Sequence, residues 1–386
     1  MRMLRVKYNK LFVTDNTKIA CIHRQIGRVI MELKGKKVMV VGTGISGIGA
    51  IDLLNKAGAD CIIYDANEKL TEEAVAKKLN GNKAQIIIGE LADDITEKVE
   101  LLVISPGVPV DSPLVKKFEE AGVPVWGEIE LAYNYDKGRI IAITGTNGKT
   151  TTTALVGQIV KAYNEQTYVV GNIGNSYTGE VLKTSENSYT VAEISSFQLE
   201  TVHRFHPVVS AILNITPDHL NRHHTMECYA HTKERIAENQ TKDDVCVLNM
   251  EDEELYRFGS ECKASVVWFS SKRKPDKGAY LDGDDIRYTD GTQDKLMLNI
   301  HDMNLLGTHN YENVCAAIAM TKAVGIPDDI IIEQVKCFKA VEHRIEYVAT
   351  KKGVWYYNDS KGTNPEASVK AIEAMVRPTI LIGGGY

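Results

Sequence analysis

The sequence predicts an α/β protein of three domains built on mostly parallel sheets, and three observations carry that prediction. Buried-type strands, such as residues 38–41 and 140–143, alternate with helical stretches, the pattern of a parallel sheet covered by helices. Two of these strands run directly into Gly-rich turns that open helices, Gly42-Thr-Gly44-Ile-Ser-Gly47 and Gly145-Thr-Asn-Gly148-Lys149-Thr150. At about 150 residues per domain, a chain of 386 leaves room for two or three cores.

Composition narrows the function classes. A 44% hydrophobic and 25% charged chain is of the ordinary soluble globular type. A net charge of −6 gives no electrostatic case for a nucleic acid or an anionic membrane. No apolar run approaches the ~18 residues of a membrane span. The seven cysteines (Cys21, Cys61, Cys228, Cys246, Cys262, Cys315 and Cys337) are scattered and never form Cys-x-x-Cys. They read as small buried hydrophobes in a reducing cytoplasm. Residues 1–30 carry seven Lys/Arg against the single acid Asp15 and lack an apolar signal core. They are expected to be an extension or a misassigned start, with the first domain opening near Met31.

In the first domain, residues 31–126, a strand at 38–41 precedes the turn at Gly42 and an apolar helix ending near Gly58. A second strand, 61–64, ends at Asp65, 18 residues after Gly47. This fits a Rossmann-like diphosphate-binding fingerprint, in which glycines admit a pyrophosphate and an acid meets a ribose. A purely structural βα turn has the same local sequence. Further strands are expected at 85–88 and 101–104, the latter ending in Ser105-Pro-Gly-Val-Pro109, where Ser105 would face a ligand crevice. The run Val123-Pro-Val-Trp-Gly-Glu-Ile-Glu130 reads as a last strand leading into a linker, with the boundary near Trp126.

The central domain, 127–306, opens on the second Gly-rich turn. Strand, turn and helix aim backbone N–H groups and a helix N-terminus at one point, which suits a phosphate. Lys149 adds a charge and Thr150 a hydroxyl that could meet Mg²⁺. The spacing is two residues shorter between glycines than a Walker A loop, and a plain turn with a Thr N-cap is the structural alternative. The strand at 189–192 presents Glu193, placed as a Mg²⁺ ligand or as an exposed cap of the next helix. After a strand at 208–213 comes Asn214-Ile-Thr-Pro-Asp218-His219. Five of the ten histidines fall between His206 and His231, without His-Glu-x-x-His spacing or a thiolate pair, so no dedicated zinc site is expected. His219 shares the crevice side with Lys149 and Glu193. In the helix expected at 226–239, Tyr229, Lys233 and Ile236 share one face, so Lys233 sits on a core-directed stripe. Snorkelling is the ordinary explanation.

Strands at 245–248, ending at Asn249, and at 266–269 precede a polar stretch of short hairpins, 271–295. In the last domain, 307–386, His309 and Asn310 stand before an alanine-rich helix, with Asn310 as its expected cap and an interdomain joint as the structural alternative for the pair. A hairpin, a helix from Pro365 and a strand at 379–382 follow. A parallel strand stopping at a Gly-rich turn leaves an open edge, so an incomplete Rossmann-like domain, from a truncated chain, is expected.

Taken together, Gly145-Thr-Asn-Gly-Lys-Thr-Thr-Thr, Ser105-Pro-Gly-Val-Pro, Gly127-Glu-Ile-Glu-Leu131, Glu193-Ile-Ser-Ser-Phe-Gln-Leu-Glu200, Thr216-Pro-Asp-His-Leu220 and Asn358-Asp-Ser-Lys-Gly-Thr-Asn364 resemble the Mur ligase and folylpolyglutamate synthetase superfamily. The combination is similar to the branch that adds D-glutamate to UDP-N-acetylmuramoyl-L-alanine. The resemblance runs from about Met31 to Tyr386 and implies the three-domain Mur ligase architecture. It implies a cytoplasmic, monomeric, ATP-dependent amide ligase of peptidoglycan precursor synthesis, acting through an acyl phosphate.

By the same resemblance, Gly145, Thr146, Asn147, Gly148, Lys149, Thr150, Thr151, Asn249, His309 and Arg344 meet ATP. Thr150 and Glu193 hold a first Mg²⁺; His219 and a CO₂-carbamylated Lys233 serve a second. Gly44, Ile45, Ser46, Asp65, Ser105, Asn172 and Ser195 meet the UDP sugar, and Asp359 and Lys361 the D-glutamate. Lys149, Glu193, His219 and Lys233 are the implied catalytic set. Three other readings stand beside this one: another amide ligase of the superfamily, an NAD-dependent dehydrogenase built on the Gly42 turn, and a non-catalytic nucleotide-sugar-binding protein. A chain without the family's remaining amino-acid-binding residues is expected to ligate poorly.

Overall fold

The computed structural model describes residues 30–362 and 365–384. The expectation for residues 1–30 therefore lies, Ile30 apart, outside the described residues. Strands β1 (Lys37–Val41), β2 (Asp60–Asp65), β3 (Gln85–Ile88), β4 (Leu101–Ile104) and β5 (Val125–Gly127) alternate with helices α1 (Ile45–Lys56), α2 (Glu72–Leu79), α3 (Asp93–Thr96) and α4 (Pro113–Glu120). They form one parallel sheet of order β3-β2-β1-β4-β5. β1 and β4 are covered on both faces, which is why they read as unbroken apolar runs.

Where a linker was expected, the chain makes helix α5 (Glu128–Tyr133), all six residues buried. Its apolar residues enter the core shared with the next domain, and the Glu130 carboxylate, 0% exposed, accepts the N–H groups of His203, Arg204 and Phe205 at 2.9, 2.9 and 3.1 Å. A buried carboxylate accepting three backbone N–H groups ties the two segments together.

The central sheet has nine strands. β6 (Arg139–Thr144) leads into α6 (Lys149–Tyr163), followed by β7 (Thr167–Gly171), α7 (Tyr177–Glu180), β8 (Tyr189–Glu193), α8 (Ser196–Leu199) and β9 (Val209–Ile212). Helices α9 (Leu220–His223) and α10 (Met226–Glu234) precede β10 (Val245–Asn249), α11 (Glu253–Glu261) and β11 (Ser265–Ser270). The polar stretch forms β12 (Gly278–Asp282), β13 (Asp285–Thr289) and β14 (Asp294–Asn299), an antiparallel meander extending the sheet. The order is β14-β13-β12-β11-β10-β9-β6-β8-β7, parallel from β7 to β12. Since β6 lies between β8 and β9, successive connections leave it to opposite sides. The carboxyl ends of these three strands form the crevice where α/β sheets bind ligands.

Helices α12 (Thr308–Ala323) and α13 (Asp328–Cys337) pack on α6 in the second core. Asn310 is not the cap of α12: Gly307, at φ +91°, holds that position, and Asn310 Nδ2 donates to Leu306 O at 2.7 Å from inside the first turn. An antiparallel pair, β15 (Glu346–Lys351) and β16 (Val354–Asn358), and α14 (Pro365–Glu373) follow. The expected strand at 379–382 does not form; Ile380 and Ile382 are 91% and 92% exposed. A strand needs a neighbour for its N–H and C=O groups, and none is within its pairing reach among the described residues. Cys61, Cys246 and Cys315 are buried as expected, but Cys228 and Cys337 are exposed.

Candidate active site

The loop after β6 is shaped by its glycines. Gly148, at φ +84°, is the N-cap of α6, and a Cβ there would stand 2.3 Å from Asn313 Oδ1; no Thr caps this helix. The loop is clamped by the segment after β9, a partner that sequence reading missed. Asn214 O accepts Thr146 N at 2.9 Å, its Oδ1 accepts Asn147 N at 2.7 Å, and its Nδ2 donates to Asn147 O at 3.1 Å. Thr146 Oγ1 joins Thr216 and lies 3.2 Å from Tyr229 OH.

Two lysines meet at this loop. Lys149 Nζ donates to Gly145 O at 2.9 Å and Thr146 O at 2.8 Å, while Lys233 Nζ donates to the same Gly145 O at 2.8 Å. Lys233 is 1% exposed, so it does not snorkel; its Nζ lies 4.5 Å from the Tyr229 ring centroid. Burial, and next the charge of Lys149, hold its ammonium well below the usual lysine range. Burial also lowers Lys149, opposed by the nearby charge of Glu193. Burial outweighs the favourable charge of Asp218 at both lysines and of Glu193 at Lys149.

Glu193, at the end of β8, is 1% exposed and so is no exposed helix cap. Its Oε1 accepts from Asn172 Nδ2 at 2.9 Å, while its Oε2 is buried with no hydrogen-bond partner. An orphaned carboxylate oxygen in a dry crevice fits a hard cation such as Mg²⁺. Among the described residues no three His, Cys, Asp or Glu side chains converge, so such a cation would draw most of its oxygens from a bound phosphate and water. His219 adopts φ +53°, a left-handed backbone unusual for a side-chain-bearing residue, and its half-exposed ring lies 4.9 Å from that of Phe197.

A cleft of about 290 Å³ opens beside the loop, lined by Asn147, Gly148, Thr150 and Thr151, by Asn249, and by His309, Arg344 and Asp359. Residues from the last segment thus meet the phosphate loop across one cavity. Glu251, Asp252, Asn313 and Lys370 also line it and were not anticipated; Asn310 and Asn313, three apart on one helix, were the readable signal. Lys361 is not among the lining residues; its backbone N–H donates to His343 O at 3.1 Å.

The Gly42 turn forms a second, shallow crevice lined by Ser46, Gly47, Ser105 and Glu128. Gly47 is required because a Cβ would stand 1.9 Å from Gly42 O. The N-terminus of α1 has no side-chain cap, Ile45 is 87% exposed, and the Ser105 hydroxyl is buried without a partner. Such N–H groups and a free hydroxyl suit a diphosphate. Asp65 is committed to the turn: Oδ2 accepts from Thr43 N at 3.1 Å and Thr43 Oγ1 at 2.7 Å. Ser195 N-caps α8 in a capping box with Gln198.

Burial, and then the charge of Lys370, pushes His309 from 6.5 down to about 4. It is neutral in the fold, whereas the unfolded chain takes up the proton at about 6.5, so stability is full above pH 6.5 and falls as pH drops towards 4. His309→Gln is expected to lose less melting temperature than wild type between pH 7 and pH 4.5. Superimposable curves would contradict the assignment.

Comparison with known proteins follows the same outline. A family model described as "Mur ligase middle domain" matches residues 143–321, and one described as "Mur ligase MurD-like, N-terminal domain" matches residues 36–127. The UDP-N-acetylmuramoylalanine--D-glutamate ligase of Lachnospira eligens is 80% identical over 356 residues, covering 92% of this chain and 79% of that protein. The like-named ligase of Clostridioides difficile is 46% identical over 358 residues, with 92% and 79% covered. Among solved structures, the MurF ligase of Thermotoga maritima in complex with ADP superposes with a TM-score of 0.53 at 19% identity, over 90% of this chain and 74% of that one. A pseudomurein peptide ligase type C from Methanothermus fervidus gives 0.53 at 20% identity, over 89% and 78%. At these identities the structural likeness speaks for the fold alone.

Proposed function

The chain belongs to the Mur ligase family, among the UDP-N-acetylmuramoylalanine--D-glutamate ligases, and from that premise we propose how its residues divide the work. The enzyme is an ATP-dependent ligase that adds D-glutamate to UDP-N-acetylmuramoyl-L-alanine in peptidoglycan precursor synthesis. Family membership displaces the dehydrogenase reading of the Gly42 turn and the non-catalytic binding-protein reading. Residues 31–126 receive the UDP sugar, 127–306 the ATP, and 307–386 contribute to the amino acid and to the nucleotide cleft.

The observation that carries the site assignment is the buried, unpartnered Glu193 Oε2 in the crevice that Lys149 enters. A carboxylate is a poor electrophile, so the chemistry needs a leaving group and close control of negative charge. The alanyl carboxylate attacks the γ-phosphorus, ADP leaves, the D-glutamate amine attacks the acyl phosphate, and phosphate departs with one carboxylate oxygen. Lys149 and the N–H groups of Gly145–Thr151 would hold the β- and γ-phosphates. Asn249, His309 and Arg344 would border the rest of the nucleotide. Thr150 and Glu193 would hold one Mg²⁺, and His219 with Lys233 a second. Bound there, Mg²⁺ supplies charge neutralisation at the phosphate oxygens.

For Lys233 to serve a cation it must become an anion. Its neutral amine can add CO₂, giving the carbamate and releasing one proton, which sets an anion beside the Lys149 ammonium. Gly44, Ile45, Ser46 and Ser105 would receive the UDP diphosphate, with Asp65 bracing that turn and Asn172 and Ser195 bordering the sugar. Asp359 and Lys361 would approach D-glutamate. A cytoplasmic monomer is the setting we assign, since one chain supplies both crevices and intracellular nucleotides supply both substrates. Phosphate release that requires UDP-N-acetylmuramoyl-L-alanine and D-glutamate together supports this reading. ATP hydrolysis indifferent to both would overturn it.

A further inference from the structure

The Gly42 and Gly145 sites lie on different sheets, yet the carboxylate delivered by one must meet the phosphate held by the other. A side chain joins the turn after β4 to the segment after β8. Arg222, on the short helix α9, is 13% exposed and is held from three sides. Its Nε and Nη2 donate to Glu200 Oε1 and Oε2 at 3.1 and 2.5 Å, a bidentate pair, and Nη2 also donates to Val108 O at 2.9 Å. Its guanidinium lies 5.2 Å from the centroid of the Phe197 ring.

Each partner belongs to a functional segment. Val108 closes the turn after β4, its N–H donating to Ser105 O at 2.9 Å, so the carbonyl that Arg222 grips belongs to the turn carrying the free Ser105 hydroxyl. Glu200 is the C-cap of α8, in the run that starts at Glu193. Arg222 itself donates its backbone N–H to His219 O at 2.9 Å, one helical turn from the residue in the left-handed conformation. Phe197 lies against His219, His223 and Arg222 together. His219, the Glu193 run and the Ser105 turn are therefore joined through one planar, doubly anchored group.

We propose that Arg222 is a positioning residue that couples nucleotide binding at the Gly145 loop to binding of the UDP-linked substrate at the Ser105 turn. The coupling rests on the functional reading above. It is reciprocal: Mg²⁺–nucleotide tightens the UDP substrate by the factor by which that substrate tightens nucleotide. Lysine keeps the charge at this place but loses the fork that holds Glu200 and Val108 at once.

The test is calorimetric titration of the full chain with UDP-N-acetylmuramoyl-L-alanine, with and without Mg²⁺ and a non-hydrolysable ATP analogue, for wild type, Arg222→Lys and Glu200→Gln. In wild type the analogue is expected to tighten the UDP substrate about 10-fold, within the usual range of coupling between sites. In both variants that factor is expected to fall to within about 2-fold of unity, while affinity for the analogue alone changes less than about 3-fold. A merely structural role would weaken both ligands and leave the factor intact. An intact factor in both variants, or loss of both affinities in parallel, overturns the proposal. Wild type that binds the analogue but not the UDP substrate overturns the functional reading and the coupling with it. Wild type that binds both without any coupling overturns the coupling alone.

Discussion

Lys149→Met is expected to lower substrate-dependent phosphate release by about 10³-fold, the scale of losing a charge that stabilises phosphoryl transfer. In CO₂-depleted buffer, where Lys233 is an amine, its melting temperature should stay level or rise. In the structure Lys149 is turned onto the loop's own carbonyls, lacks a carboxylate hydrogen bond, and shares Gly145 O with Lys233. Burial makes its charge costly to the fold, and phosphate oxygens are the partners that would favour it. Removing it relieves the desolvation cost of a buried ammonium, while the Lys233 amine still satisfies Gly145 O. Phosphate release and thermal melting, measured on one preparation, separate the two effects. A variant that is both active and less stable would contradict this account.

Lys233→Ala is expected to cost about 10²-fold or more in the same assay, the scale of a lost charge-stabilising group. Wild-type activity should rise with added bicarbonate and fall in CO₂-depleted buffer, a dependence the variant lacks. The structural basis is the depressed ammonium pKa, caused first by burial and then by Lys149. A neutral amine is the form that reacts with CO₂. The pH sign follows: the unfolded chain holds the Lys233 proton up to about 10.5, the folded chain releases it lower, so this residue favours folding more as pH rises to that point. Activity in Lys233→Ala equal to wild type, or indifference of wild type to bicarbonate, would sink the carbamate.

The parts of the molecule legible beforehand share one cause. Strands buried on both faces, such as β1, β4 and β6, must be unbroken apolar runs, and the turns at their carboxyl ends need glycine where a Cβ would strike backbone. Those ends are also where the candidate crevices lie, so Lys149, Glu193 and Ser105 could be assigned to them from the chain alone. Helix α5 was missed because Glu128 and Glu130 look solvent-bound until their partners, 73 to 75 residues away for Glu130, are in place. The Arg222 clasp on Val108 spans 114 residues and leaves no local periodicity. Residues 379–382 have the composition of a strand but no strand paired with them among the described residues, and pairing decides. Lys233 was legible as an oddity, and only burial against Gly145 and Tyr229 separated a core lysine from a snorkelling one.

The central claim is that the Gly145 loop activates a carboxylate delivered from the Gly42 crevice. Oxygen tracing tests it most directly. UDP-N-acetylmuramoyl-L-alanine labelled with ¹⁸O in the alanyl carboxylate is turned over with ATP and D-glutamate, and the released phosphate is examined by mass spectrometry. Phosphorylation of the carboxylate predicts one ¹⁸O transferred to each phosphate released. Phosphate that carries oxygen from water and none from the substrate would contradict it.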